Sequence, residues 1–327
     1  MDFDLSEDQV ALRDAARDLL DKLAPPERVR QADGFDRDLW AAMVDQGWLD
    51  TESLGLGTVE TAVLLEQTGR HVAPVPFLQT TLAIAALRRA GEDGLVEQLT
   101  TGERIGTIAW HDDPVVYGDR ADVVVRATTG GVTVTELDAA GRPERQAAMD
   151  LTRTLAWVDA TRPNRRIGGA DDVQALLDDA AVGHSAEMLG AAERILEMST
   201  EYAKDRVQFG KPIGSFQAVK HRCADMLVDV EAMRSAVYWA AWCLGAHDED
   251  RSVAASTAKI WCADAAKRVM ASGLQVHGGV GFTWEHDLHL FLKRSQLDQV
   301  SFGDATFHRD RLGRLLEQRV AAGRSVL

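Results

Sequence analysis

Asp205-Arg206-Val207-Gln208-Phe209-Gly210-Lys211-Pro212-Ile213 is the stretch on which the reading of this chain turns. It joins two long apolar-periodic segments, roughly 172–202 and 216–245, so a tight connection between two helices is expected, punctuated by Gly210 and Pro212. Arg206, at the end of the first helix, offers a forked guanidinium, and the turn beyond it exposes backbone N–H groups. That combination suits a diphosphate. A solvent-facing arginine beside an ordinary Gly-Lys-Pro inter-helix turn is the other reading of the same residues.

Working outward, a third periodic segment, 251–274, runs into Gln275-Val276-His277-Gly278-Gly279-Val280-Gly281-Phe282. Glycines here end the helix and permit both positive φ and close approach of a ligand to the backbone. Glycine-ended helices are common in themselves; the ordered pairing with Arg206 gives this one its weight. A fourth segment, 305–321, completes a set of helices that bury one another as a C-terminal bundle. Tyr238, Trp239 and Trp242 lie at helical spacing, where core packing is the expected role.

Upstream, Ser6-Glu7-Asp8-Gln9 has the form of a capping box, and helical runs follow over 39–46, 58–69 and 80–89. Short β-rich runs, 104–110, 121–126 and 132–137, then alternate with the turns Tyr117-Gly118-Asp119 and Thr129-Gly130-Gly131. The expected architecture is mostly α with a small central β domain: an N-terminal helical domain over 1–102, a β domain over 103–168 and a helical bundle over 169–327.

The order helix, β, helix bundle and the two quoted motifs resemble the acyl-CoA dehydrogenases, flavoproteins that desaturate acyl-CoA thioesters. The resemblance spans nearly the whole chain and is strongest in the last third; Gly47-Trp48-Leu49, Glu66-Gln67-Thr68-Gly69-Arg70 and Glu187-Met188-Leu189-Gly190 add weaker signatures. By resemblance, Arg206, Gln208, Phe209 and Gln217 reach across a subunit interface to the ADP half of FAD held by a neighbour. Gln275, His277, Gly278 and Gly279 cradle the same portion.

Two departures qualify the match. The family carries its catalytic carboxylate in a Tyr-Glu-Gly-Thr run, and this chain reads Phe302-Gly303-Asp304-Ala305; the family's alternative base position falls at Ala180. Neither Gly303 nor Ala180 accepts a proton, so no catalytic residue is assigned, and Asp304, Asp178 and Asp179 are the nearby carboxylates. After Gly102-Glu103-Arg104-Ile105-Gly106 the family's Thr-Glu-Pro run, which holds the flavin ring, is replaced by Trp110-His111-Asp112-Asp113-Pro114, and the β domain is shortened. Retained ADP-binding residues with a lost base and a lost flavin cradle describe one half of a composite site. The resemblance is to the non-catalytic subunit of actinobacterial α2β2 acyl-CoA dehydrogenases acting on steroid side-chain CoA esters. It implies FAD shared with a catalytic partner subunit and an acyl-CoA substrate. The alternatives are a self-sufficient homotetramer with a displaced Asp base and a flavin-free scaffolding subunit.

Bulk properties exclude other classes. The 327 residues are 46% hydrophobic and carry a net charge of −15, which repels nucleic acid and anionic membranes. No apolar run reaches spanning length and the N-terminus lacks signal-peptide character, so a cytoplasmic location is expected. Three cysteines without a CxxC pair read as free thiols, and nine histidines without ligand spacing give no metal site.

Overall fold

The computed structural model describes residues 4–325. Six helices come first: α1 (Glu7–Leu23), α2 (Pro26–Gln31), α3 (Arg37–Asp45), α4 (Thr58–Arg70), α5 (Phe77–Arg89) and α6 (Asp93–Thr100). Strands β1 (Gly106–Trp110), β2 (Val115–Val116), β3 (Val123–Thr128), β4 (Gly131–Glu136), β5 (Arg145–Gln146), β6 (Leu155–Ala156) and β7 (Arg165–Gly168) follow. Then come α7 (Ala170–Asp205), β8 (Val207–Gln208), β9 (Lys211–Pro212), α8 (Gln217–Gly245), α9 (Arg251–His277), α10 (Leu288–Val300) and α11 (Ala305–Ala321). The fold is mostly α with a small β domain, as expected. No helix among the described residues is long and apolar enough to cross a membrane.

The chain forms two compact units, each assembled from separate stretches of sequence. One comprises Leu23–Thr61 and Ala73–Ala180. Its four-stranded sheet has the order β1-β3-β4-β7, with β1 and β3 parallel and the remaining pairs antiparallel, beside a three-stranded sheet β2-β6-β5. Strands β1 and β3 are buried along nearly their whole length, and Ala109, Val115, Ala121, Val124, Leu137 and Val158 form a hydrophobic core cluster. Helix α5 fixes β1 through Thr80, whose hydroxyl donates to the Gly106 carbonyl at 2.8 Å. Asp36 caps α3 by accepting from the Leu39 N–H at 3.0 Å and is itself gripped by Arg28 at 2.8 Å.

The other unit comprises Met1–Lys22, Ala62–Val72 and Ala181–Leu327. The capping box forms at the start of α1: the Gln9 N–H donates to Ser6 Oγ at 3.2 Å, and the Ser6 N–H donates to Gln9 Oε1 at 3.0 Å. Helices α4 and α7 cross at two glycines. A Cβ on Gly69 would lie 2.1 Å from the Glu187 carbonyl oxygen, and one on Gly190 would lie 1.8 Å from that of Glu66. Only glycine lets these backbones meet. The crossing brings acid and base side chains together: Arg234 of α8 donates to Glu66 at 2.6 Å and to Glu193 at 2.8 Å, Arg70 donates to Glu193 at 3.1 Å and Glu197 at 2.8 Å, and the Tyr238 hydroxyl donates to Glu66. Against the cost of burial, Glu66 and Glu193 hold the Arg234 pKa above its ordinary value. Burial, with the Glu66 carboxylate beside it, raises that of Tyr238. Tyr238 thus belongs to the core, though through its hydroxyl as well as its ring.

Candidate functional site

Helix α7 ends at Asp205, and the chain doubles back in two residues. Strands β8 and β9 pair in the register Val207 with Pro212 and Gln208 with Lys211. The tip is Phe209-Gly210, both left-handed, with φ of +54° and +76°. That is the backbone of a type I′ hairpin turn. The Ile213 N–H donates to the Arg206 carbonyl at 2.8 Å and closes the base.

The hairpin presents its side chains outward. Phe209 is 92% exposed and meets Phe216 edge-on at 6.1 Å, while Lys211 Nζ stands 4.4 Å over the Phe216 ring. Arg206 is exposed, and among the described residues its guanidinium has no hydrogen-bond or ion-pair partner. Gln217, at the first turn of α8, is exposed as well. An unpaired guanidinium and a bare aromatic ring on one projecting turn form a surface with unspent hydrogen-bonding and stacking capacity.

The second motif lies at the end of α9. Gln275 is exposed, and Gly278 takes φ +63° with ψ −142°, a conformation open only to glycine. A Cβ on Gly278 or Gly279 would meet nothing within 4 Å. Packing therefore does not require glycine at 279; a close external ligand would. His277 stands apart from these neighbours. It is 4% exposed, its Nδ1 bonds with the Gly273 carbonyl at 2.8 Å, and burial lowers its pKa. Its ring stacks on Tyr202 at 4.7 Å and meets His286 at 4.6 Å. Tyr202 accepts the Arg206 N–H at its carbonyl, 2.9 Å away. This Tyr202–His277 stack, which sequence reasoning missed, brings the two motifs to the same end of the bundle.

At the position that the resemblance assigns to the family's base, the backbone is left-handed at both Phe302 (φ +56°) and Gly303 (φ +94°). The Phe307 ring fills the space a side chain at 303 would need. Asp304 is exposed and caps α11, accepting from the Phe307 N–H at 2.8 Å. Ala180 is fully buried in α7; next to it, Asp179 is ion-paired with Arg89 at 2.6 Å, and burial raises its pKa against that pairing. Asp304 thus serves as a helix cap and Asp179 as an ion-pair partner.

The corner from 298 to 308 is instead held by buried polar groups. Lys259 of α9, 0% exposed, donates to the carbonyls of Asp298 and, at 3.0 Å, of Ser301, so a cation closes the C-terminus of α10. Burial lowers its pKa to about 8. His184 Nδ1 bonds with Asp298 at 3.0 Å, and His308 Nε2 with the Phe302 carbonyl at 3.0 Å. Burial, aided by Lys259, pushes His308 down to about 3. His184, Glu187 and Asp298 bring ligand-type atoms within 4.8 Å of one another, with Arg294 3.9 Å from Glu187. All three are engaged inside the protein. Sequence carried one signal of this corner: a lysine on the apolar face shared by Ala255, Ala258 and Cys262.

In the β domain, the segment after β1 is locked by Arg126. His111 is left-handed (φ +50°), and the buried guanidinium donates to its carbonyl and, at 2.7 Å, to that of Val158.

Residues 6–100 match the family model described as "Acyl-CoA dehydrogenase, N-terminal domain", and residues 168–316 match "Acyl-CoA dehydrogenase, C-terminal domain". Acyl-CoA dehydrogenase IpdE2 of Mycolicibacterium smegmatis is 38% identical over 305 residues, which cover 89% of this chain and 93% of that protein. A chain of the ChsE4-ChsE5 complex from Mycobacterium tuberculosis superimposes with a TM-score of 0.84 at 31% identity, over 97% of this chain and 99% of that one. A chain of a variant Tcur3481-Tcur3483 steroid ACAD gives a TM-score of 0.87 at 28% identity, over 96% and 99%. With both terminal domains matched and a relative of this identity covered almost end to end, the chain belongs to the acyl-CoA dehydrogenase family.

Proposed function

We propose that this chain is the non-catalytic subunit of a heteromeric, FAD-dependent acyl-CoA dehydrogenase. In this reading it clamps the ADP end of a flavin shared with a partner subunit that supplies the base and the ring pocket. The observation that carries it is the contrast between the two corners. The Gly303 corner is sealed against any base, while Arg206 and Phe209 stand exposed and Gly278 and Gly279 leave their backbone open. The residues present fit half of the cofactor: Arg206 suits the pyrophosphate, Phe209 offers a stacking face, and the glycines admit close approach. When bound, FAD would supply the hydride acceptor for α,β-desaturation of the thioester.

Similarity to chains of a two-component complex and of a steroid ACAD supports an α2β2 assembly acting on a bulky steroid side-chain CoA. A cytoplasmic location is part of this reading. The homotetramer with a displaced base finds no support, because Asp304 is committed to capping α11 and Asp179 to Arg89.

The deciding experiment is the flavin-to-polypeptide ratio of the chain produced alone and with candidate partner dehydrogenases. A colourless solo protein beside a yellow complex containing fewer flavins than polypeptides is expected. One flavin per chain in the solo protein would overturn the proposal.

A further inference from the structure

A pocket of about 430 Å³ opens where the end of α7 meets the turn into α8. That volume lies in the range of small-molecule sites. Thr200 and Ala203 of α7, Gly214 of the turn, and Val219 and Cys223 of α8 form its walls, with Lys204 and Lys220 contributing from the two helices. Pro212 of β9 also lines it, so it adjoins the hairpin, but none of Arg206, Gln208, Phe209 or Gln217 does, and its lining is distinct from the residues assigned to ADP. The turn is built to sit close here: a Cβ on Gly214 would lie 2.8 Å from the Ala203 carbonyl oxygen.

Its charge sets it apart. The chain carries 51 acidic against 36 basic residues, yet no acidic side chain lines this pocket. Among the described residues, neither Lys204 nor Lys220 has an ion-pair or hydrogen-bond partner for its ammonium group. The Thr200 hydroxyl donates its proton to the Glu197 carbonyl at 2.8 Å, leaving an oxygen that only accepts. What remains is an apolar cavity with two unneutralised point charges, suited to an apolar body with one anionic end.

We infer that this pocket binds an aliphatic carboxylate, with its chain against Ala203, Val219 and Cys223 and its carboxylate between Lys204 and Lys220. Cys223 provides a built-in reporter. Its thiol is half-buried in the pocket wall, whereas Cys243 and Cys262 are buried.

The test is the rate at which N-ethylmaleimide alkylates Cys223 in the full-length protein, read by peptide mass spectrometry. Decanoate at several times its Kd should slow alkylation about fivefold, because the free fraction of sites sets the rate. Decanol should protect less at equal concentration, and acetate not at all. In the Lys204→Gln/Lys220→Gln variant, decanoate should bind about tenfold more weakly, while protection by decanol is unchanged. Both lysines are exposed, and an unchanged alkylation rate without additive verifies that the variant keeps the pocket. No protection by decanoate, equal protection by decanol in the wild type, or protection by decanoate that survives the double substitution would each overturn the inference.

Discussion

A methyl group on Gly303 would lie 2.2 Å from Cδ1 of Phe307. The position therefore rejects any side chain twice, through its +94° φ and through the ring beside it. Gly303→Glu should lower stability by about 2–4 kcal/mol and leave the solo chain without dehydrogenase activity. Urea unfolding and acyl-CoA-dependent reduction of an artificial electron acceptor, with FAD added, measure the two effects. A variant with wild-type stability that reduces the acceptor would show that the corner is a dormant active site.

Arg206→Ala should leave the melting temperature of the isolated chain within experimental error, because the exposed guanidinium holds nothing in the fold. The same substitution in the co-purified complex should reduce flavin content, and Arg206→Lys should restore it only in part, since a point charge cannot replace a fork. Unchanged flavin content in the alanine variant would favour a scaffolding subunit.

At the α4–α7 crossing, the Glu66 carboxylate serves both Arg234 and Tyr238. Glu66→Ala leaves Arg234, which is 28% exposed, with Glu193 as its partner but removes the acceptor of both Arg234 and Tyr238, and should cost about 2–4 kcal/mol. Tyr238→Phe, which removes a single charge-assisted hydrogen bond, should cost about 1.5–3 kcal/mol. Chemical denaturation of both variants and of the double variant yields the coupling between them. Additive losses would mean the groups act independently.

Acid should act through His308. Burial holds its folded pKa at about 3, against an ordinary value of 6.5. Between those values the unfolded chain binds a proton that the native state does not, so stability falls as pH falls from 6.5 towards 3, by up to about 1.4 kcal/mol per pH unit. His308→Asn should flatten the dependence of melting temperature on pH in this window relative to the wild type. His277 and His71 are also held below their ordinary pKa by burial, so some slope will remain.

Helices whose apolar residues recur at the helical period were legible in the sequence. The four bundle segments expected over 172–202, 216–245, 251–274 and 305–321 correspond to α7, α8, α9 and α11. Helix α10 was not, because Arg294, Ser295 and Asp298 on its inner face are buried and polar and break the pattern that periodicity detects. Hydrophobic patterning also missed α2 and α6, which are short, and the two-residue strands β2, β5 and β6. The place of Arg206 at a helix end and that of the glycines closing α9 were readable because both are local features of the sequence. The Tyr202–His277 stack and the Lys259 clamp were not, since each joins residues from helices far apart in the chain. Gly303 was legible only as a glycine; that a side chain there would meet Phe307 is a fact about that ring's place in space.

The hairpin tip sets a large aromatic residue where glycine would rest more easily. Holding an L-residue left-handed costs about 1–2 kcal/mol, and Phe209 gains little in return while its ring stands in water. A Gly-Gly tip would make the free protein more stable. In the proposed assembly that free energy would return when something covers the ring, and the hairpin would trade stability in isolation for gain on contact. Such a corner would be completed by its binding partner rather than merely occupied by it.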